Sequence, residues 1–224
     1  MIIVVTGTNT DVGKTIAVAA LASRWSELGA EVGVVKPAQT GEPEGSGDAP
    51  TVTRLTGVPA ATLARFPEPL APNISARRAG MPQLALENVA QRIAALDGPG
   101  RITIVEGAGG LLVRLGEDWT VADLAARLDA PVVVVTSMEL GSLNVAELTV
   151  EACRRRGLTV PFLIGGSWPA EPDLATELNR EELTEVTGVP LAGVLPAGSG
   201  QLQPREFPAM ARRWLQVDIP AGLR

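Results

Sequence analysis

Lys14, Thr15, Lys36, Asp48 and Glu106 are the residues whose types and spacing can do chemistry in this chain. Lys14 and Thr15 close the stretch Val4-Val-Thr-Gly-Thr-Asn-Thr-Asp-Val-Gly-Lys-Thr15. The apolar run 2–5 before the loop reads as a buried strand, and the apolar-periodic segment 16–28 after it reads as a helix. Strand, glycine-bearing loop, Gly-Lys-Thr and helix is the order of a phosphate-binding loop. The loop N–H groups point inward, and the helix N-terminus adds partial positive charge. Lys14 can then reach terminal phosphates, and the Thr15 hydroxyl can hold Mg²⁺. Five residues separate Gly7 from Gly13, one more than in the usual motif, so Thr8 stands where its first glycine is expected.

The second lysine lies where a ligand would meet it. Of 19 basic residues only Lys14 and Lys36 are lysines, and there is no histidine or tyrosine. An ammonium is a compact point charge that approaches a phosphate or a reacting oxygen without a planar fork. Proton transfer must fall to Lys, Asp, Glu or the substrate itself. Asp48 opens a short helical segment, 51–55, and can either cap it or contact a metal. Glu106 ends the apolar strand 102–105 and is followed by Gly107-Ala-Gly-Gly110. An acid at a strand tip downstream of a phosphate loop is where a nucleotide–Mg²⁺ site takes its second metal contact, usually as Asp. The plain alternative is a strand followed by a glycine turn.

These residues need a scaffold that brings strand ends together. Residues 32–35 read as a strand that Pro37 stops, with Lys36 at its tip. The loop 38–50, carrying Thr40, should be surface and mobile. Residues 61–66 read as a short strand. The segment 67–72 is a rigid, non-helical turn, either a linker or a preset pocket wall. Helical periodicity covers 84–96, and Thr120 and Asp123 have capping-box spacing ahead of another helix. Strands follow at 132–135, 160–164 and 191–195, alternating with helices over 145–156, 174–186 and 205–215. Asn144 reads as helix-start chemistry. Six or seven strands alternating with helices give an α/β fold, a mostly parallel sheet covered on both faces. Ligands bind outside the carboxyl ends of such strands, so Lys14, Lys36, Glu106, Asn144 and the late Gly/Pro turns should share one face.

Composition agrees. A chain of 224 residues fits one domain, 1–224, and 46 % hydrophobic with 3 % aromatic residues suits close-packed helices on a sheet. The net charge of −6 argues against a nucleic-acid partner. The lone Cys153 fits a reducing, cytoplasmic setting. No apolar run approaches ~18 residues, so no membrane span is expected, and no basic region precedes the first apolar run as in a signal peptide.

The chain resembles the dethiobiotin synthetases over almost its full length. The likeness rests on Thr6-Gly-Thr-Asn-Thr-Asp-Val-Gly-Lys-Thr15, Lys36-Pro-Ala-Gln-Thr-Gly41, Pro69-Leu-Ala-Pro72, Val105-Glu-Gly-Ala-Gly-Gly110 and Leu140-Gly-Ser-Leu-Asn144. The five-residue gap in the loop is that family's spacing. The resemblance implies a P-loop NTPase-type fold and an ATP- and Mg²⁺-dependent ligase of biotin synthesis. Its substrates would be 7,8-diaminononanoate, CO2 or bicarbonate, and a nucleoside triphosphate. The reaction would pass through a carbamate and a carbamic–phosphoric anhydride. It implies Lys36, Lys14 and Thr10 as catalytic residues and Thr15, Asp48 and Glu106 as metal ligands. Asp11, Val12, Gly13, Gly107, Ala108 and Gly109 would join Lys14 and the metal ligands at the nucleotide, with base contacts from Gly165 and the backbone of Leu195, Pro196, Ala197 and Gly198. Thr40, Pro72, Glu106 and Gly109 would meet the diamine. Leu143 and Asn144 would reach a neighbouring subunit's substrate in a homodimer. Gly165 stands where the family usually has the adenine-reading Asn, which predicts weak base discrimination. Asp11 replaces a Glu of some relatives, with little consequence expected.

The competing reading is a partition- or septum-type ATPase switch on the same architecture. Those proteins carry a lysine near the loop start, where Thr8 stands, and often a membrane-seeking terminal helix; 205–215 is short and weakly basic for one. A GTPase would need an Asn-Lys-x-Asp motif, which is absent. A corrinoid amidotransferase would need a glutaminase with Cys and His.

Overall fold

The computed structural model describes residues 1–220. Seven strands form one parallel sheet: β1 (Ile2–Gly7), β2 (Glu31–Thr40), β3 (Ala60–Phe66), β4 (Arg101–Gly110), β5 (Val132–Thr136), β6 (Leu163–Trp168) and β7 (Leu191–Pro196). Their order across the sheet is β3-β2-β4-β1-β5-β6-β7, and every paired neighbour runs parallel. The apolar runs are nearly continuous because both faces are covered. Alternation then divides each run between two cores: Val132 and Val134 face one, Val133 and Val135 the other.

One face is covered by α1 (Lys14–Glu27), α2 (Asp48–Thr56) and α8 (Phe207–Trp214), which bring Leu21, Trp25, Leu55 and Phe207. The opposite face is covered by α4 (Leu86–Ala94), α5 (Val121–Arg127), α6 (Ser142–Arg155) and α7 (Leu174–Thr187), which bring Ile93, Leu124, Val150 and Leu183. The chain leaves β1 toward β2, returns through β4 and then crosses to β5. The carboxyl end of β1 is therefore a topological switch point, where a crevice opens for ligands.

Several boundaries differ from the sequence reading. Pro37 does not stop β2. The ladder to β4 ends at Val35, and beyond it β2 pairs with β3 alone as far as Thr40, so the missing N–H of Pro37 removes no bond to β4. The glycines after Glu106 are not a turn, because β4 continues to Gly110 and Gly7 pairs with Gly110 across a register shift. A short helix, α3 (Pro72–Arg78), starts at the proline expected to close a non-helical turn, since proline's fixed φ suits a first helical position. The strand expected over 160–164 is β6, displaced to Leu163–Trp168. The edge of β7 is met by the segment after α8, with Gln216 N–H donating to Ala192 O at 2.9 Å.

The capping box at α5 is present. Thr120 N–H donates to Asp123 Oδ2 at 2.8 Å, and Asp123 N–H donates to Thr120 Oγ1 at 3.4 Å. Thr120→Ala is expected to lower unfolding free energy by about 1 kcal/mol, read by urea denaturation, without changing nucleotide affinity.

Candidate active site

The loop after β1 turns on Asp11 (φ 58°) and Gly13 (φ 93°), the latter capping α1. Lys14 is the first helical residue, and its ammonium folds back to donate to Asn9 O at 2.8 Å. Gly7 is needed where it is: a Cβ there would lie 2.6 Å from Asn9 O and 3.0 Å from Lys14 Nζ.

Four elements deliver the charged groups to one point. β2 brings Lys36, β4 brings Glu106, α1 brings Thr15 and α2 brings Asp48. Lys36 Nζ meets Asp48 Oδ2 at 2.5 Å and donates to Glu106 Oε1 at 3.0 Å and Gly107 O at 2.8 Å. Three acceptors satisfy its three hydrogens. Thr15 Oγ1 lies 2.8 Å from Asp48 Oδ1 and 2.9 Å from Glu106 Oε1. Asp48 thus opens α2 without capping it; the N-cap is Gly47, which offers no side chain.

Burial and charge set the protonation states. Burial disfavours the Lys36 ammonium, but Glu106 and Asp48 outweigh it and raise its pKa. Burial likewise works against the Asp48 carboxylate, and Lys36 together with the Thr15 hydroxyl pulls its pKa below the ordinary value. Glu106, 1 % exposed, is pushed up to about 7, chiefly by burial and further by the Asp48 charge, against the pull of Lys36. One cation facing two carboxylates keeps the nearer one ionised and leaves the deeper one harder to ionise. Thr15 has one hydrogen, which its hydroxyl offers to Asp48 Oδ1 or Glu106 Oε1. Lys14 moves the other way: burial, then the neighbouring Lys36 charge, lower its pKa.

A cavity of about 670 Å³ opens above these groups. Thr10, Asp11, Gly13, Lys14, Thr15, Lys36, Thr40, Asp48, Pro72, Glu106, Ala108 and Gly109 all border it. Gly107 contributes its carbonyl from behind, and Val12 is buried beneath the loop. A larger apolar cleft of about 1040 Å³, along Phe162, Leu191 and Trp214, includes none of the five charged and hydroxyl groups. Among the described residues no cluster of three or more His, Cys, Asp or Glu could hold a metal unaided. The residues nonetheless fit Mg²⁺. Its preferred ligands are a few hard oxygens completed by phosphate and water, and Glu106 Oε2 is a buried oxygen with no partner.

Other expected residues lie elsewhere. At Gly165 a side chain would press into Met138 Sδ at 2.5 Å and Val194 Cγ1 at 2.8 Å, away from the phosphate loop. Alternation along β6 turns the next residue, Gly166, toward the phosphate loop, where a Cβ would collide with Val12 O and lie 3.4 Å from Gly13 Cα. Only the strand register reveals this, and the sequence reading began that strand three residues early and ended it four residues short. The Leu195 side chain is buried in the core beside α8. Pro196 borders the apolar cleft, and Ala197 N–H donates to Trp168 O at 2.7 Å, tying the ends of β6 and β7 together. Leu143 and Asn144, in the first turn of α6, do not border this chain's cavity. Asn179 had no sequence signal. Buried in α7, its Nδ2 donates to Met138 O at 3.1 Å and Glu139 O at 2.8 Å, holding the loop into α6.

Residues 2–203 match a family model described as an AAA domain. An ATP-dependent dethiobiotin synthetase of Corynebacterium diphtheriae is 62 % identical, the match covering 92 % of this chain and 93 % of the relative. Proteins of the same name from Rhodococcus jostii and Streptomyces coelicolor are 53 % and 49 % identical, covering 95 % and 96 % of this chain and 94 % and 91 % of theirs. Among solved structures, the MinD cell division protein of Aquifex aeolicus superposes with a TM-score of 0.56 at 14 % identity, covering 98 % of both chains. A likeness at that identity shows the fold alone.

Glu106 is harder to ionise in the fold than in the unfolded chain. Its protonated form contributes stability below the ordinary carboxyl value of 4.5, and that contribution is lost as pH rises through about 7. Glu106→Gln cannot ionise. The ligand-free variant should gain on the order of 2 kcal/mol over the parent at pH 8, with most of that gain gone at pH 5. Denaturation curves at the two pH values measure it; a gain independent of pH would mean that Glu106 is already ionised in the fold.

Proposed function

Because this chain belongs to the dethiobiotin synthetase family, we propose that it is an ATP- and Mg²⁺-dependent ligase that carboxylates 7,8-diaminononanoate and closes the ureido ring of dethiobiotin. The observation that carries this reading is Lys36, an ammonium between two carboxylates, opening on the same cavity as Lys14 and Thr15.

One amine of the diamine adds to CO2 and loses a proton, giving a carbamate. A carbamate oxygen attacks the γ-phosphorus, and ADP leaves. The second amine attacks the carbonyl carbon of the mixed anhydride; phosphate and a proton leave, and the five-membered ring is closed. Phosphoryl transfer needs positioning and charge neutralisation more than covalent help from the protein. Lys14 would leave Asn9 O for the terminal phosphate. Lys36 would bind carbamate and phosphate oxygens together, screening two anions that otherwise repel. Thr15, Asp48 and Glu106 would hold Mg²⁺, which supplies neutralising charge on the phosphate oxygens. Binding that cation favours loss of the proton from Glu106. Thr10 and Thr40 would donate hydrogen bonds to the reacting groups, and Pro72 and Gly109 would wall the diamine.

The domain, 1–224, would work as a homodimer. Leu143, half-buried against the core, and the exposed Asn144 do not line their own chain's cavity, and Leu140 and Leu148 nearby are exposed. These features support delivery of the α6 N-terminus to the carboxylate tail of a neighbouring subunit's substrate. Base contacts would fall to backbone around Gly166 and the 195–198 turn. With no side-chain reader at Gly165 or Gly166, nucleotides other than ATP would be accepted. The enzyme would be cytoplasmic; among the described residues no helix is long and apolar enough to cross a membrane.

Phosphate release with Mg-ATP and bicarbonate should depend on 7,8-diaminononanoate and fall about 10²–10³-fold in Lys36→Ala. Release that ignores the diamine would favour a switch ATPase. At matched Mg²⁺, turnover with CTP or GTP should stay within about tenfold of ATP; strict ATP use would refute permissive base recognition.

A further inference from the structure

Helix α2 begins at Asp48 without a cap of its own. Gly47 precedes it at φ 102° and has no side chain to accept the first orphan N–H. That N–H goes to Gln39 Oε1 at 2.9 Å. Gln39 is on β2, three residues past Lys36, and is 7 % exposed. Its approach is close enough to require the glycine: a Cβ on Gly47 would lie 2.7 Å from Gln39 Cδ. The cross-strand neighbour of Gln39 is Arg65 on β3. Arg65 donates to Ser46 O at 3.0 Å and Pro43 O at 3.3 Å, both in the loop that leads into α2. Two adjacent side chains of the sheet therefore hold the loop and the first turn of the helix from beneath.

We propose that Gln39, backed by Arg65, is the positioning residue of the metal site, acting as an N-cap supplied by the sheet that fixes the Asp48 carboxylate against Lys36 and Thr15. This rests on the reading of Asp48 as a Mg²⁺ ligand. The argument is geometric. Asp48 has few constraints of its own, because it follows a loop with glycines at 41, 45 and 47, all at positive φ. Its carboxylate must nonetheless meet one ammonium and one hydroxyl that come from other elements. A bond to the Asp48 backbone N–H helps set where that side chain starts, and Gln39 makes it. Outer residues that orient a metal ligand typically govern metal affinity by about 10–100-fold.

The test is direct Mn²⁺ binding to the ADP-loaded protein, followed by electron paramagnetic resonance, in the parent, Gln39→Met, Gln39→Glu, Arg65→Gln and Asp48→Asn. Met keeps the length of Gln and loses the acceptor; Glu keeps the acceptor. Gln39→Met should weaken Mn²⁺ about tenfold, Gln39→Glu should restore most of the loss, and Arg65→Gln should weaken it less. Amide exchange at Asp48 should quicken in Gln39→Met, while the KM for the diamine stays within about twofold. The inference is overturned if Asp48→Asn loses Mn²⁺ and Gln39→Met binds it as the parent does, whatever Arg65→Gln does. If Asp48→Asn itself binds Mn²⁺ normally, the metal reading falls and the inference with it.

Discussion

A buried ammonium shared by one buried and one half-buried carboxylate is the constraint from which the rest of this structure follows. Lys36 and Glu106 are 4 % and 1 % exposed, and burying such charges is unfavourable unless every hydrogen and lone pair finds a partner. The requirement is met by convergence. β2 must carry Lys36 past the point where its ladder to β4 ends, β4 must stay extended through Gly107 to offer a carbonyl, and α2 must start where Asp48 reaches the ammonium. Losing any one of these partners leaves the site with an unmet hydrogen or an unbalanced charge. The same arrangement is poised for a ligand. Burial makes Glu106 hard to ionise, and its second oxygen is unpartnered.

The two lysines show why residue type matters here. Among the described residues, every other ion pair uses arginine or the chain's amino terminus. A guanidinium presents a rigid planar fork, which suits a surface carboxylate but cannot point three hydrogens at Asp48, Glu106 and Gly107 O from one atom. Lys14 and Lys36 also differ from each other. Lys14 has a single backbone acceptor and a like charge nearby, so its ammonium is held weakly and is free to move to a phosphate. Lys36 is held by its partners and is raised rather than lowered.

Much of the fold was legible because apolar runs bounded by Gly and Pro can be little else in a doubly covered sheet. The phosphate loop, the capping box at Thr120 and the cluster of Lys14, Thr15, Lys36, Asp48 and Glu106 were legible from chemistry and spacing. What failed depended on pairing. Pro37 reads as a strand stop unless one knows that the pairing of β2 with β4 has already ended at Val35. Asp48 stays open between cap and metal contact while its partner on β2 is out of sequence reach. Gly165 and Gly166 are both glycine, and only the register of β6 decides which faces the nucleotide loop; a slip of one residue exchanges the faces.

The two ends of the site are consequently built on different physics. At the phosphate end, charged side chains from four elements fix a small volume, and each substitution there alters a net charge. At the opposite end the β6 backbone abuts the loop so closely that a Cβ at Gly166 would meet Val12 O, and the turn after β7 is tied to Trp168 by a backbone bond. Close approach of backbone to backbone leaves no room for a side chain that would read a base. A chain that packs its phosphate loop against glycine gains a rigid loop and gives up a side-chain donor at that point. A rigid phosphate loop and the absence of a side chain at Gly166 are thus one consequence of the same contact.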